Sequence, residues 1–526
     1  MTMPDPARYG HGIDFGIVAV DRFIQATRDS GYRGTASAIS ELVDNSLQAG
    51  ATRIDVRVDT DPAFSDGQLY IQVTDNGSGM DARTLHQALR FGGSSRFNDR
   101  RGLGRYGMGL PNGSLSQARR LEVISWQTQS SAYSSYLDLD EIVDGKLSVV
   151  PKPRRISLPR TVLDLKFPSG TVVLWSRCDR LDYRRASTIA SKVRTSLGRI
   201  FRYFLWDGVG IGVNGEAVQP IDPLFIHERS LTRGGRLVGQ PLEYQMEVPL
   251  PDGRGIACGR VAVRFSELPV AEWHQLANDQ KRELGVLNGA GVSIVRARRE
   301  IEYGWLLLGD KRRENYDDWW RCELSFDPGL DEVFGITHTK QQVRPTHNLV
   351  EAIVPDLERM AKTLNRRVRQ HHEQLKLTVR AADSESIAAT RDGLLPPIPT
   401  RRQTPVVHQI FEQLEKRHPH LAVTKDEGSK LGALSYSIVL DGASSTRFFS
   451  SYHRDGQLVL VLNTDHPFYR KVYTALCQFE GTAAQALRQS LDLALLAAAR
   501  AEATSGKHAE DFLRLWSDTM ATFLQT

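Results

Sequence analysis

Glu41-Leu-Val-Asp-Asn-Ser-Leu-Gln-Ala-Gly-Ala51 decides the fold, read with Asp75-Asn-Gly-Ser-Gly-Met80 and Gly102-Leu-Gly-Arg-Tyr-Gly-Met-Gly-Leu-Pro-Asn-Gly113. The first stretch closes a helical pattern over residues 17–50, with Gly50 as the stop signal. Glu41 and Asn45 are four residues apart and leave one face of the helix, while Leu42 and Val43 turn toward a core. A carboxylate beside a carboxamide suits a general base next to a ligand for a hard cation such as Mg2+. Taken alone, the same spacing is also that of a solvated helix face.

Two runs that alternate at period two, Arg53–Asp59 and Gln68–Thr74, read as strands, and Asp75 follows the second directly. Gly77 and Gly79 permit close backbone approach there, so Asp75 can meet a ligand at a strand end; a plain Asp-Asn-Gly turn is the other reading. In the third stretch Gly104, Gly107 and Gly109 leave backbone N–H groups able to cradle phosphate oxygens. The spacing is not G-x-x-x-x-G-K-[ST], which occurs nowhere in the chain.

Outward from these motifs, 526 residues exceed one compact domain at ~100–200 residues each. Forty per cent hydrophobic and 25% charged residues exclude wholesale disorder. No apolar run reaches the ~20 residues of a membrane span, and the start carries no signal pattern. Four cysteines without a C-x-x-C pair offer no zinc or redox site, which makes a cytoplasmic location the expectation. The net charge of +5 is uneven: residues 151–202 hold thirteen Lys/Arg against three Asp, a local +10. Such a stretch suits a polyanionic partner or a solvated face.

Strand patterns recur at Leu121–Trp126, Thr161–Phe167, Thr171–Trp175, Gly259–Phe265 and Gly291–Val295, with a helix near Pro269–Gln280. A long helical pattern over Thr346–Leu377 carries Leu349, Ile353, Leu357, Met360 and Leu364. Gly393–Thr404 is Pro-rich and reads as a linker; beyond it lie strands near Ser435–Leu440 and Leu458–Asn463, then Ala-rich helices.

In this order and at these gaps the three motifs resemble the GHKL ATPase superfamily: gyrase-type topoisomerases, the mismatch-repair protein MutL, Microrchidia (MORC) proteins, heat-shock chaperone ATPases and histidine kinases. Glu41–Ala51 looks closest to the MutL and MORC form of the first motif, and Phe91-Gly-Gly-Ser-Ser-Arg96 ahead of the glycine loop looks MORC-like. Gly170-Thr171 followed by Val-Val-Leu-Trp is similar to the family's fourth motif. The resemblance implies a Bergerat-type site for ATP and Mg2+. Glu41 would be the water-activating base, Asn45 the Mg2+ ligand and Asp75 the adenine reader, with Gly77, Gly79, Met80 and Thr171 around the base. Ser94, Ser95, Arg96, Gly104, Arg105, Tyr106, Gly107, Met108 and Gly109 would form the phosphate lid, Arg96 standing where relatives often carry Lys. Thr337-His-Thr-Lys-Gln-Gln342 resembles the switch-lysine loop of the gyrase and MutL transducer domain, which makes Lys340 the γ-phosphate sensor.

The expected class is α+β: a GHKL α/β-sandwich ATPase domain over 1–205, a transducer-like (ribosomal S5-type) α/β domain with a long exit helix over 206–392, a linker over 393–404 and an α+β C-terminal domain over 405–526. The resemblance implies a Mg-dependent ATPase working as a homodimeric clamp whose gate closes on ATP, on duplex DNA held by residues 151–202. The alternatives are a chaperone-like ATPase acting on protein clients and a nucleotide-dependent module of a prokaryotic antiviral defence system with a partner protein.

Overall fold

A computed structural model describes residues 20–29, 32, 34–60, 67–93, 108–249, 255–336, 342–395, 398, 405–418, 421, 434–442, 446–454, 456–478, 482–505, 509–514 and 517. The chain forms two compact units, Met1–Arg366 and Arg367–Thr526. The first opens with α1 (Val20–Asp29), α2 (Thr35–Gln48), β1 (Arg53–Thr60), β2 (Leu69–Asp75), α3 (Ala82–Ala88), α4 (Gly109–Leu115), β3 (Ala118–Trp126) and β4 (Ala132–Asp138). It continues through α5 (Leu139–Val143), β5 (Arg154–Ile156), α6 (Arg160–Leu163), β6 (Gly170–Cys178), α7 (Ala186–Ile200), α8 (Arg202–Trp206), β7 (Gly210–Val213) and β8 (Glu216–Ala217). These strands make one sheet in the order β5-β4-β3-β6-β2-β1-β7-β8, with only β1 and β7 parallel.

Period-two alternation sorts the sheet's side chains. Val56, Ile71, Val73, Val123 and Trp175 join Ile39 and Leu42 of α2 and Val193 and Leu197 of α7 in the main core. Trp126 and Val172, out of phase with them, pack with Leu158, Val162 and Phe167 in a separate cluster. That cluster corrects the expectation of a strand over Thr161–Phe167. Pro159 instead starts the helical turn α6, and Lys166 takes a left-handed φ of 57°. Val162 and Phe167 are buried by folding over Trp126, without pairing to a neighbour. The helix expected near Pro269–Gln280 is likewise broken in two, as given next.

The second sheet comes from β9 (Arg236–Leu237), β10 (Leu242–Pro249), β11 (Ile256–Glu267), β12 (Val292–Arg296), β13 (Arg299–Gly304) and β14 (Trp320–Phe326), with α9 (Val270–Trp273) and α10 (Asn278–Glu283) inserted. Its order is β10-β11-β14-β12-β13, with β9 on β11. Helix α11 (His347–Asp392) runs 46 residues, further than the pattern over Thr346–Leu377 suggested. Leu349, Ile353, Leu357, Ala361 and Leu364, at helical spacing, are fully buried against Val263, Ile294, Trp320 and Leu324 of the sheet. Met360 is only partly buried there.

Both sheets lie in the first unit, and a buried charge cluster ties them. Arg202 is fully buried; it reaches Glu300 at 3.0 Å and Glu323 at 2.5 Å, and Tyr203 donates to Glu323 at 2.6 Å. Burial alone would raise the Glu323 carboxyl, but Arg202 and Arg264 outweigh it and hold the group below its ordinary value.

The second unit holds α12 (Pro405–Arg417), β15 (Ser435–Asp441), β16 (Phe449–Arg454), β17 (Gln457–Asn463), α13 (Thr474–Gln478) and α14 (Thr482–Ser505). Strand β17 is central, parallel to β15 and antiparallel to β16. Leu458, Leu460 and Leu462 pack with Leu495, Leu496 and Ala499 of α14, whereas Val459 and Val461 pack with Phe411 and Leu414 of α12. Among the described residues no helix is long and apolar enough to cross a membrane.

Replacing Arg202 by Met should cost roughly 3–5 kcal/mol at neutral pH, because it removes the fully buried cation shared by Glu300 and Glu323 and leaves each with one partly exposed arginine. A depressed folded-state pKa contributes stability above the unfolded value of ~4.3 that is lost as pH falls. The gap between parent and variant in urea denaturation should therefore narrow on acidification. A gap independent of pH would refute the coupling to Glu323.

Candidate active site

Helix α2 starts at Thr35 because an acid from elsewhere caps it. Asp182 Oδ2 accepts the Thr35 N–H at 2.8 Å, and the Asp182 N–H donates to Thr35 Oγ1 at 3.1 Å. A carboxylate here satisfies an orphan donor and faces the positive end of the helix dipole. At the far end Gly50, with φ +74°, supplies the left-handed residue that ends the helix. Between these limits Glu41 and Asp44 are 4% and 0% exposed, and Asn45 is half-buried.

The end of β2 lies against the same helix. Asp75 Oδ2 accepts from Ser46 Oγ at 2.9 Å and Oδ1 from the Gly77 N–H at 2.8 Å. Burial pushes the Asp75 carboxyl above its ordinary value, and bonds from Gly77, Ser46 and Thr171 pull it back only in part. Thr171 pairs with Asp75 across β2 and β6, and its hydroxyl meets Ser125 Oγ at 2.9 Å. Ser125 in turn accepts the Met80 N–H at 2.8 Å, and Ser169 donates to the Gly77 carbonyl at 2.7 Å. Gly77 is required by space, since a Cβ would lie 2.8 Å from Ala49 Cβ; Gly79 is required by both conformation and space.

Glu41 adjoins the start of α4. A Cβ on Gly109 would sit 2.2 Å from Glu41 Oε1, so only glycine brings the backbone this close to the carboxylate. Among the described residues the hydroxyl of Tyr32 is buried without a hydrogen-bond partner, as is Asn112 Oδ1 of α4. Burial, then the nearby Glu41, pushes the Tyr32 hydroxyl far above its ordinary value. Orphaned polar atoms, a glycine cradle and a converging carboxylate and carboxamide fit a polar, charged ligand such as a nucleotide with its cation.

The structure thus brings Asp75, Gly77, Gly79, Met80 and Thr171 together at one strand end, beside the helix bearing Glu41 and Asn45, with Met108 and Gly109 at the start of α4. Ser94, Ser95, Arg96, Gly104, Arg105, Tyr106, Gly107 and Lys340 lie outside the described residues. Ser46, Ser125 and Ser169 were missed from sequence. Only Ser46 carried a signal, as the neighbour of Asn45 inside the first motif.

The basic stretch 151–202 is less uniform than its charge suggests. Arg177, Arg180, Arg194, Arg199 and Arg202 are ion-paired within the protein. Lys152, Arg154, Arg155, Arg160 and Lys166 around β5 and α6, and Arg184, Arg185 and Lys192 at the start of α7, are exposed.

Residues 32–171 match the family model described as histidine kinase-, DNA gyrase B- and HSP90-like ATPase. They are therefore an ATPase domain of the GHKL family. Curated relatives include the DNA mismatch repair protein MutL of Shewanella sp. (strain MR-4), 31% identical over 210 residues, which is 39% of this chain and 30% of the relative. MutL of Shewanella loihica is 29% identical over 174 residues, 31% of this chain and 26% of the relative. The matched region thus spans less than a third of each relative's length. A crystal structure of the N-terminal domain of a DNA repair protein overlays 65% of this chain and 98% of its own at 15% identity, with a TM-score of 0.39.

Gly79 gives the sharpest structural test. With φ +66°, an added Cβ would meet the Trp126 carbonyl oxygen at 2.0 Å. Gly79→Ala should destabilise the protein by about 2–5 kcal/mol, summing left-handed strain and overpacking. An unchanged denaturation midpoint would mean that this turn is placed wrongly.

Proposed function

We propose that this protein binds and hydrolyses ATP with Mg2+ and works as an ATP-gated dimeric clamp on DNA. The observation that carries the ATPase reading is the meeting of α2 and the end of β2. There the buried Glu41 and the half-buried Asn45 share a helix with Ser46 of the buried Ser46–Asp75 pair, inside a domain of an ATPase family.

Glu41 is the general base: it takes a proton from the attacking water at its carboxylate, against which the Gly109 backbone packs. Asn45 offers its carboxamide oxygen to Mg2+, whose charge offsets that of the phosphates. Asp75 accepts from the exocyclic amine of adenine. Both of its oxygens already hold one donor each, which fixes the carboxylate in place while leaving lone pairs for the base. Lys340 is the switch that senses the γ-phosphate, and Ser94–Arg96 with the Gly104–Gly107 loop close over the phosphates.

Glu41→Ala should lower turnover by about 10²–10⁴-fold while ATP still binds. Asp75→Asn should do the reverse. Asn can accept from Gly77 and donate to Ser46, whose hydroxyl can turn to the Leu42 carbonyl at 3.1 Å, so the fold survives. Adenine recognition should weaken by ~1–3 kcal/mol. Calorimetry and a steady-state assay separate the two; an Asp75→Asn protein that binds ATP as the parent does would remove Asp75 from the site.

The DNA reading is supported by the MutL relatives and by the exposed groups Arg184, Arg185 and Lys192. Arg194, which pairs with Glu216, is not among the phosphate contacts proposed. The decisive experiment is ATPase rate and duplex DNA affinity across salt. Replacing Arg184, Arg185 and Lys192 by Ala should flatten the slope of log K against log salt by about one unit per lost contact. An unchanged slope with unaltered affinity would refute this surface. ATPase that ignores DNA and responds to unfolded protein would favour a chaperone-like role.

A further inference from the structure

Tyr32 carries a hydroxyl that the fold does not use. Its ring is buried in the main core with Ile39, Leu42 and Leu115. Among the described residues the hydroxyl has no hydrogen-bond partner. A buried hydroxyl left unpaired costs about 1–3 kcal/mol. Phenylalanine would fill the same space without that cost, so packing does not account for a tyrosine at this position.

Helix α4 locates that hydroxyl. A Cβ on Gly113 would lie 3.5 Å from Tyr32 Cε2 and 3.6 Å from Cζ, so the hydroxyl-bearing end of the ring rests on this glycine. Four residues earlier on the same helix, a Cβ on Gly109 would sit 2.2 Å from Glu41 Oε1. Residues four apart share one helix face and stand about 6 Å apart along the axis. One face of α4, bare of side chains at both positions, thus receives the Glu41 carboxylate at one turn and the Tyr32 phenol at the next. Two hydrogen bonds through a single water span about 5.5 Å, which matches that step. Burial, then the Glu41 charge, holds the Tyr32 hydroxyl protonated far above its ordinary range; Arg299, itself paired with Asp44 at 2.9 Å, opposes this and Asp44 adds to it. Tyr32 therefore offers an O–H donor and not a phenolate.

We propose that Tyr32 is a catalytic residue: its hydroxyl donates a hydrogen bond to the water that Glu41 deprotonates, and so fixes that water for attack. The water gives one proton to Glu41 and accepts from Tyr32 on one lone pair. Its other lone pair attacks the γ-phosphorus; the bond to the β,γ-bridging oxygen breaks, and ADP leaves with those electrons. Tyr32 keeps its proton throughout. The proposal rests on the ATPase reading of Glu41 and adds a second group that holds the nucleophile.

The test uses the full chain and the variants Tyr32→Phe, Glu41→Gln and the two combined. Tyr32→Phe removes one oxygen and keeps the ring. It should lower kcat by at least about tenfold while affinity for a non-hydrolysable ATP analogue stays within about threefold, the pattern of an interaction made only in the transition state. Its melting temperature should hold or rise, because the lost hydroxyl had no partner in the fold. In the Glu41→Gln background, single-turnover rates should change by less than about twofold on adding Tyr32→Phe, since both groups act through one water. Parental kcat in Tyr32→Phe would overturn the proposal, and affinity falling in step with kcat would make Tyr32 a nucleotide contact instead. A lowered melting temperature would show that the hydroxyl is structural, and an equal loss in the Glu41→Gln background would show that it acts apart from the base. Parental turnover in Glu41→Gln alone would overturn the underlying site reading itself.

Discussion

Three carboxylates buried around one helix govern this structure. Glu41, Asp44 and Asp75 are 4%, 0% and 5% exposed. Taking a carboxylate out of water costs several kcal/mol unless the protein supplies compensation. For Asp44 the compensation is ionic and comes from Arg299, 255 residues away in sequence. For Asp75 it is made of hydrogen bonds from Ser46 and Gly77. Glu41 meets the glycine at the start of α4, where the backbone can approach because no side chain intervenes. The second sheet is therefore part of what makes the first domain's helix tolerable, and the site is a property of the whole first unit.

How much of this could be read beforehand follows from where each signal resides. Glu41, Asn45, Asp75 and the glycines were legible because their spacing is local: helical period for one pair, strand end plus turn for the other. Strands β1, β2, β15 and β17 were legible for the same reason, since alternation or a continuous apolar run leaves a pattern over a few residues. Arg299 had no local signal. It is one arginine among many in sequence, and its meaning is set by a partner on another element. The basic stretch shows the opposite failure. Its +10 is real, but five of its thirteen cations, including the fully buried Arg202, are committed to internal acids. Net charge over a window cannot tell a surface from a cluster.

Thr161–Phe167 failed for a related reason. Apolar residues there are buried on a helical turn and a left-handed residue, so burial without pairing imitates the strand pattern. Conversely, β16, Phe-Ser-Ser-Tyr-His-Arg, is a true strand whose polar composition hides it.

That polar strand has a consequence for how the second unit behaves when strained. Its neighbour β17, Gln-Leu-Val-Leu-Val-Leu-Asn, is uncharged, free of proline and buried at every position. Such a seven-residue window is the composition of a self-associating cross-β segment once released from its fold. Strand β16 covers one edge of it and carries Arg454, a charge of the kind that β17 lacks. The edge strand thus acts as a gatekeeper. Cell-level solubility of truncated or destabilised forms would then track whether β16 remains seated, more closely than it tracks the unit's total stability.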